Sequence, residues 1–157
     1  MNLTVIRILN TLLAALLAGS LFGSWMGYNP ADLSALAYTE QQQNAIRSLN
    51  TLMPVLGLIT IIVTIIAAFY QKRNKKVFIS LLVAAGLLVM SAVVTRFGNQ
   101  PINAVVMTWS TTDIPADWKA LRDSWWTLHI VRTIASLAAL LLIIIAGTRN
   151  DRGALIN

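Results

Sequence analysis

The sequence predicts an all-α integral membrane protein, a four-helix transmembrane bundle with short interfacial helices on its outer side. Three observations predict this fold: the composition, four long apolar runs, and the placement of lysine and arginine. Of the 157 residues, 57% are hydrophobic and 11% are charged, whereas about a quarter of a soluble domain is charged. The length leaves room for one domain over residues 1–157.

The four apolar runs cover residues 3–25, 49–70, 77–95 and 125–146. Each is near the roughly 20 residues that a helix needs to cross a bilayer. Strands of a membrane barrel would be shorter and would alternate apolar with polar residues. A cleaved signal peptide is the alternative for the first run, because Arg7 precedes small residues around Ala18. The continuation of that run to Trp25 favours a transmembrane helix.

The basic residues predict the orientation. The short link between the second and third runs carries four cations and no acid: Lys72, Arg73, Lys75 and Lys76. By the positive-inside rule this link is cytoplasmic. Four crossings then place both termini in the cytoplasm, the C-terminal tail with Arg149 and Arg152. A bacterial inner membrane is the expected location. The two outer links hold Asp32, Glu40, Asp113, Asp117 and Asp123, and an aromatic belt is predicted from Trp25, Tyr28, Trp109, Trp118, Trp125 and Trp126.

Prolines and capping residues predict breaks in the helices. Thr39 with Gln42 fits a capping box, so the second helix should begin near Glu40 and bend at Pro54. Pro101 should interrupt the helix after the third run, with a short interfacial helix over residues 102–109.

The first helix carries a small residue at every fourth position: Ala15, Gly19, Gly23 and Gly27. Such a stripe lets another helix approach closely. Packing inside the bundle is one interpretation of the stripe, and a homodimer seam is the other.

Polar residues collect at the outer end, and in a membrane such residues are costly and tend to mark function. On each of the second and fourth helices they recur at helical spacing: Gln43, Arg47 and Asn50, then Arg122, Trp125, His129 and Arg132. Arg96, Asn99 and Asn103 lie at the end of the third run. The sequence therefore predicts an outward-facing pocket between the helices.

The residue types in this pocket suggest its chemistry. Arginine suits planar anions and aromatic rings, so a carboxylate, phenolate, quinone or lipid headgroup would fit. The single histidine, His129, is the candidate catalytic base. The candidate substrate-binding residues are Arg47, Asn50, Arg96, Asn99, Asn103, Trp125 and Arg132. Structural roles stay open for each of them, including snorkelling of Arg132 to water, hydrogen bonding of His129 to a neighbouring helix, and lipid phosphate binding by Arg47 and Arg96.

The composition also narrows the function classes. Cysteine is absent and histidine occurs once, so disulfides, thiolate metal sites and multi-histidine metal sites within one chain are excluded. We expect no metal and no cofactor. The net charge of +6 follows from membrane topology, and no nucleic-acid-binding motif accompanies it. Membrane lipids and a small lipophilic or anionic ligand are the expected partners.

The order of these residues resembles the anthrone oxygenase-like family of small four-helix membrane proteins. The resemblance rests on residues 43–50 followed by Met53-Pro54, on residues 99–103, and on residues 122–125 with His129 and Arg132. It extends over nearly the whole chain. Fungal members are associated with oxidation of polyketide anthrones to anthraquinones by molecular oxygen, without a well-established cofactor. The resemblance implies a similar fold and site.

Two functions therefore compete. The first is a cofactor-independent oxygenase, an oxidoreductase, in which His129 removes a proton and Arg96, Asn99, Asn103 and Arg132 receive the developing oxyanion. The second is a non-catalytic membrane module that binds a lipid, a quinone or a partner membrane protein. A transporter or channel is less favoured, because no continuous polar pathway is apparent in the inner half.

Overall fold

The computed structural model describes residues 2–154, with side chains for residues 2–148. Its six α-helices are α1 (Leu3–Gly27), α2 (Ala35–Leu49), α3 (Leu52–Tyr70), α4 (Lys75–Val94), α5 (Gln100–Val106) and α6 (Trp118–Ala154). A 3-10 turn (Pro30–Asp32) precedes α2 and a π-helical segment (Thr95–Asn99) joins α4 to α5. Four stretches are long and apolar enough to span a membrane: Leu3–Asp32, Leu52–Tyr70, Lys75–Val106 and Trp118–Thr148. The predicted all-α, four-helix membrane fold is confirmed.

The spanning helices form a closed ring in which α1 and α4 each pack against both α3 and α6. Every one of the four contributes a buried alanine to one core: Ala14, Ala68, Ala84 and Ala139. Lipid tails are as apolar as these side chains, so association depends on close packing, which small residues permit. The core therefore joins the four helices over much of their length.

The two ends of the bundle differ in charge. We call the end at the link between α3 and α4, with Lys72 and Arg73, the basic end, and the opposite end the acidic end. Near the basic end Arg7 donates from Nε and Nη2 to Oε1 of Gln71, at 3.1 and 3.0 Å. Further along, the Thr64 hydroxyl donates to Oδ1 of Asn10 at 2.7 Å. Contrary to the sequence-based expectation, the predicted inner half thus contains buried polar side chains, and these bonds tie α1 to α3.

The second apolar run is divided between two helices. Ser34 caps the start of α2, whereas the Thr39 hydroxyl donates back to the Ala35 carbonyl, so the predicted capping box near Glu40 is wrong. Pro54 does not bend a continuous helix either. It lies in the first turn of α3, where its missing N–H needs no partner, and its ring excludes a helical carbonyl at Asn50. The chain therefore ends one helix and starts another.

Pro101 is accommodated without a break in helical structure. The π-helical segment before it lets the Gln100 N–H donate to the Thr95 carbonyl, five residues back. Helical structure then runs from Lys75 to Val106, longer than the predicted span of 77–95. A π-bulge of this kind absorbs the hydrogen bond that proline cannot make and often occurs at functional sites. The short helix predicted after Pro101 is α5.

An aromatic cluster closes the acidic end. Tyr38 of α2 packs against the rings of Trp109 and Trp118, with centroids 6.3 and 5.6 Å away. These three residues and Trp125 are buried, so the predicted lipid-facing belt is wrong for Trp109, Trp118 and Trp125. The reason is that α6 begins at Trp118, seven residues before its predicted start, and its first two turns pack under this cluster.

The stripe of Ala15, Gly19, Gly23 and Gly27 lies on the outside of the bundle. All four residues are exposed, and a Cβ on any of the three glycines would meet no atom within 4 Å. The interpretation as packing inside the bundle is therefore wrong, because α1 turns its Ala14, Leu17, Ala18 and Leu21 face inward instead. The homodimer seam stays a prediction. The basic tail side chains Arg149 and Arg152 lie outside the described residues.

Candidate functional site

A cavity of about 340 Å³ lies in the acidic half of the bundle; we call it the front cavity. Its volume is in the range typical of small-molecule sites. Side chains of α1, α2, α3, α5 and α6 line it, together with Thr95 of the π-helical segment: Ser20, Leu21, Ser24, Tyr28, Gln41, Gln42, Asn44, Ala45, Ile46, Leu49, Asn50, Met53, Pro54, Thr95, Asn103, Trp125, His129 and Arg132.

His129 and Arg132 form a fixed pair on one face of α6. Arg132 donates from Nε and Nη2 to Nδ1 of His129, at 3.2 and 2.9 Å. A guanidinium can only donate, so Nδ1 must be unprotonated and the proton resides on Nε2. Nε2 lies 3.2 Å from the Leu21 carbonyl of α1 and donates to it. His129 is therefore a neutral imidazole with both nitrogens bonded to protein.

This arrangement differs from the predicted role of His129. A general base needs a lone pair within reach of the substrate, and the only lone pair of this ring accepts from Arg132. The side chain is also 1% exposed. The geometry therefore favours the alternative considered from sequence, a histidine bonded to a neighbouring helix, with the added function of orienting an arginine.

Arg132 donates hydrogen bonds to two side chains and still has N–H groups without a partner. Its Nη1 donates to the Thr95 hydroxyl at 3.3 Å, and its guanidinium carbon lies 5.8 Å from the centre of the Trp125 ring. A guanidinium has five N–H groups, so one N–H on each terminal nitrogen remains for the cavity. Among residues 2–148 no carboxylate pairs with Arg132 or lines the front cavity. The cation is thus placed to receive an anion.

An amide network forms the opposite wall. Asn103 of α5 accepts from the Trp125 indole N–H at 2.8 Å and donates to Oδ1 of Asn50 at 2.9 Å. Gln42 of α2 also approaches Asn103, at 3.5 Å, and accepts from the Tyr28 hydroxyl at 3.3 Å. The Asn50 amide nitrogen has no partner among the described residues, so it too can donate to a ligand.

Aromatic rings frame the site between Arg132 and the network. The His129 ring lies parallel to Trp125 and Trp126, with centroids 5.1 and 5.5 Å away. Tyr28 meets both tryptophans edge-on, at 6.4 and 6.3 Å. Such rings offer a flat, apolar surface with few rotatable bonds, which suits an aromatic ligand.

Two buried amides hold the surrounding backbone in place. Asn99, in the π-helical segment, donates to the Trp125 carbonyl at 3.0 Å. Gln43 donates from one nitrogen to the carbonyls of Val106 and Trp109, at 3.0 and 2.9 Å. Neither side chain lines the front cavity. Asn99 therefore fixes α6 against the π-helical segment, rather than facing the cavity as predicted.

A second cavity of about 380 Å³ adjoins the first; we call it the rear cavity. It lies between α1, α3, α4 and α6. Arg132 borders both cavities, and Arg96 lines only the rear one. Apolar side chains make up most of its wall: Leu17, Leu21, Met53, Leu58, Ile61, Leu88 and Ala92.

The structure thus brings together five of the predicted site residues in the front cavity: Asn50, Asn103, Trp125, His129 and Arg132. It does not bring Arg47 there. Arg47 is exposed on α2, whose buried face contains Thr39, Gln43 and Ile46, and α2 ends before Asn50, so the assumed single stripe does not exist.

Sequence reasoning missed three contributors to the site. Gln42 had been assigned to a capping box, Tyr28 to the aromatic belt, and Thr95 to the end of a transmembrane run. A signal was available for Gln42, because it lies one turn from Tyr38 and Ile46 on the apolar face of an otherwise polar helix. The Leu21 carbonyl, a backbone group, carries no sequence signal.

Within the described residues, no group of three or more histidine, aspartate or glutamate side chains is close enough to hold a metal ion. The donors that line the front cavity are a guanidinium, amides and hydroxyls. These groups fit an organic anion better than a divalent cation.

Comparison with known proteins identifies the family. No curated protein and no solved structure matches the chain. The sequence model of the family described as anthrone oxygenase matches residues 43–142, which is more than half of the chain and includes α3, α4 and α5, the C-terminal part of α2 and the part of α6 that carries His129 and Arg132. The chain belongs to the anthrone oxygenase family.

Proposed function

We propose that this protein is a cofactor-independent oxygenase that binds a flat lipophilic substrate in the front cavity and stabilises its anion with Arg132. One observation supports this most directly: a guanidinium with two unused N–H groups, and no carboxylate partner among the described residues, borders a cavity framed by Trp125 and Tyr28. An uncompensated cation away from water is costly, and an anionic ligand would remove that cost.

For an anthrone the reaction balances with molecular oxygen as the oxidant. Loss of a proton from the doubly benzylic carbon places negative charge on the carbonyl oxygen, where Arg132 and Asn50 can donate to it. The carbanion then transfers electrons to oxygen, a carbon–oxygen bond forms, and loss of one water molecule leaves the quinone. Preorganised donors of this kind typically contribute about 10²–10³ in rate for each donor.

In this proposal the protein makes the carbon acid easier to ionise. The described lining of the front cavity includes no carboxylate, and the His129 lone pair accepts from Arg132. The proton therefore passes to water or hydroxide, and Arg132 lowers the free energy of the anion left behind. The charge-assisted bonds that it offers are roughly twice as strong as neutral ones.

Oxygen uptake by the purified protein in lipid nanodiscs, with a hydroxylated anthrone as substrate, tests this function. Arg132→Leu should lower kcat/KM by about 10²–10³, as expected for loss of an oxyanion donor. Arg47→Leu is the matched control, because it removes an arginine at the same end that lines neither cavity, and it should leave turnover unchanged. Equal turnover by Arg132→Leu and the unaltered protein would refute the proposal.

A second candidate function is supported by the bonding of His129. Because that ring has no lone pair for a substrate, the same site also suits a non-catalytic module that binds an anionic lipid or a quinone. Titration with a phenolate under anaerobic conditions distinguishes the two functions. Binding that depends on Arg132, without oxygen uptake in air, would favour the module.

We further propose that the basic end faces the cytoplasm of a bacterial cell and that the front cavity therefore lies in the outer half of the inner membrane. The four cations in the link between α3 and α4, and the five acids at the opposite end, support this orientation.

A further inference from the structure

The rear cavity opens toward lipid. Its buried end is formed by Leu17, Leu88 and Ser91, whereas Leu58 of α3 is 58% exposed and Ala92 of α4 is also exposed. The opening therefore lies between α3 and α4. Leu58 is six residues along a helix that is apolar enough to span a membrane, about 9 Å from its start at 1.5 Å per residue, so this part of the opening lies within an apolar span.

The two cavities adjoin at Arg132. Both are bordered by Leu21, Met53, Pro54, Thr95 and Arg132. The guanidinium of Arg132 is thus positioned to bind the anionic group of a ligand whose ring lies on one side of it and whose tail lies on the other. The front part of such a ligand would meet amides and tryptophan, and the rear part would meet aliphatic side chains.

Gly57 leaves room in the rear cavity. It lines this cavity but not the front one, and a Cβ added there would meet no atom within 4 Å. A larger side chain at position 57 can therefore extend into the space beside α3. Gly86 of α4 also has no atom within 4 Å of an added Cβ, but it is exposed and lines neither cavity.

We propose that the rear cavity holds the hydrocarbon tail of the ligand, so that the natural substrate is a phenol- or quinol-type ring carrying one alkyl or isoprenoid chain. The ring position rests on the proposed function of the front cavity, and the tail position rests on the rear cavity alone. Such a substrate enters sideways from the bilayer through the opening between α3 and α4.

The hydrocarbon tail affects the entry route and the orientation of the substrate more than its binding affinity. A hydrocarbon chain gains little on moving from lipid to an aliphatic cavity, because the two environments are similarly apolar. Arg96 and Gln100 also line the rear cavity, but a polar extension directed along Leu17 and Leu88 would leave its groups unpaired, at a cost of several kcal/mol for each group in hydrocarbon. This apolar part of the cavity thus selects against polar tails.

A photolabel tests the tail position directly. The probe is 4-octylphenol with a diazirine at the end of its chain, added to the protein in phosphatidylcholine nanodiscs. We expect labelling of rear-cavity residues such as Ile61 and Leu88, and competition by unlabelled 4-octylphenol. Gly57→Phe should abolish this labelling by filling the cavity, whereas Gly86→Phe should preserve it.

Affinity gives a second measurement on the same variants. Gly57→Phe should weaken binding of 4-octylphenol by at least about tenfold, the scale of overpacking effects, and should change binding of 4-methylphenol less than about twofold. Comparing variants for one ligand at a time cancels the partitioning of each phenol into lipid. If phenylalanine impairs folding, as judged by circular dichroism and gel filtration, Gly57→Leu fills the same space with a smaller side chain.

The possible outcomes separate this proposal from the proposed function. Unchanged labelling in Gly57→Phe, or equal weakening of both phenols, would overturn the tail site. Rear-cavity labelling that Gly57→Phe removes, in a protein that oxidises no anthrone, would support the tail site and refute the oxygenase.

Discussion

His129 provides the sharpest test of the mechanism, because an orienting histidine and a catalytic base respond differently to asparagine. His129→Ala removes the acceptor for Arg132 and the donor for the Leu21 carbonyl. It also removes a ring stacked against two tryptophans. Asparagine restores an acceptor near the position of Nδ1 but cannot take up a proton at neutral pH.

The expected changes in the free energy of unfolding follow from these contacts. A hydrogen bond to a charged group contributes about 1.5–3 kcal/mol, and a neutral one contributes about 1 kcal/mol. With the cavity left by the ring, His129→Ala should therefore lower the free energy of unfolding by roughly 3–5 kcal/mol. His129→Asn should recover about 1.5–3 kcal/mol of that loss by accepting from Arg132 again.

Thermal unfolding in mild detergent and oxygen uptake in nanodiscs measure the two effects. We expect His129→Asn to retain substantial turnover and His129→Ala to lose most of it together with phenolate affinity. A general base would give a different result, since both variants would be inactive while phenolate affinity in His129→Asn stayed normal. That second pattern would refute the orienting role.

Three further predictions concern the acidic end and the topology. Gln43→Leu should destabilise the fold by about 1–3 kcal/mol in thermal or chemical unfolding, because it leaves the Trp109 carbonyl without its donor and removes one of the two donors to the Val106 carbonyl, while Gln41→Leu, on the exposed side of α2, should have little effect. Tyr38→Phe should stabilise the fold at neutral pH by up to about 1 kcal/mol, because the buried Tyr38 hydroxyl has no partner among the described residues. Burial raises the pKa of Tyr38, so the unfolded chain loses this proton before the folded one does, and the free energy of unfolding falls as pH rises above the unfolded-state pKa near 10. The unaltered protein should therefore lose more stability than Tyr38→Phe in unfolding measurements between pH 9 and 11. Since the sequence contains no cysteine, the variant Lys72→Cys has a single thiol. A membrane-impermeant maleimide should label this variant in inverted vesicles but not in intact cells.

The membrane helices could be predicted from sequence because hydropathy is a local property. A run of about 20 apolar residues satisfies its own backbone hydrogen bonds in lipid only as a helix, so no tertiary information is needed. The helix ends were less predictable. Residues 118–124 contain three charged residues, Lys119, Arg122 and Asp123, and look like a loop by hydropathy, yet they form the first turns of α6 because Tyr38 and Trp109 pack against Trp118.

The site was predictable where one regular helix carries it. Trp125, His129 and Arg132 share a face at steps of four and three, and α6 is regular there. What each side chain does depended on its partners. The Leu21 carbonyl of α1 and the Thr95 hydroxyl decide the tautomer of His129 and the direction of Arg132, and contacts between distant segments leave no pattern in one sequence.

The two prolines explain why the positions of Asn50 and Asn103 in the amide network could not be predicted from sequence. α2 ends at Leu49, and Asn50, four residues before Pro54, accepts from Asn103 of α5. Pro101 follows the π-helical segment after one residue, Gln100, and the extra residue per turn of that segment rotates α5 relative to α4. Asn103 therefore points to α2 and α6 at once, where it meets Asn50 at 2.9 Å and Trp125 at 2.8 Å. Pro54 lies in the first turn of a new helix and Pro101 removes one backbone hydrogen bond, and the irregular backbone at both places is next to a cavity, which is where a membrane protein tolerates it. The positions of Asn50 and Asn103 thus depend on the same backbone features that the prolines require, and a substitution that made either helix continuous would be expected to separate the two asparagines.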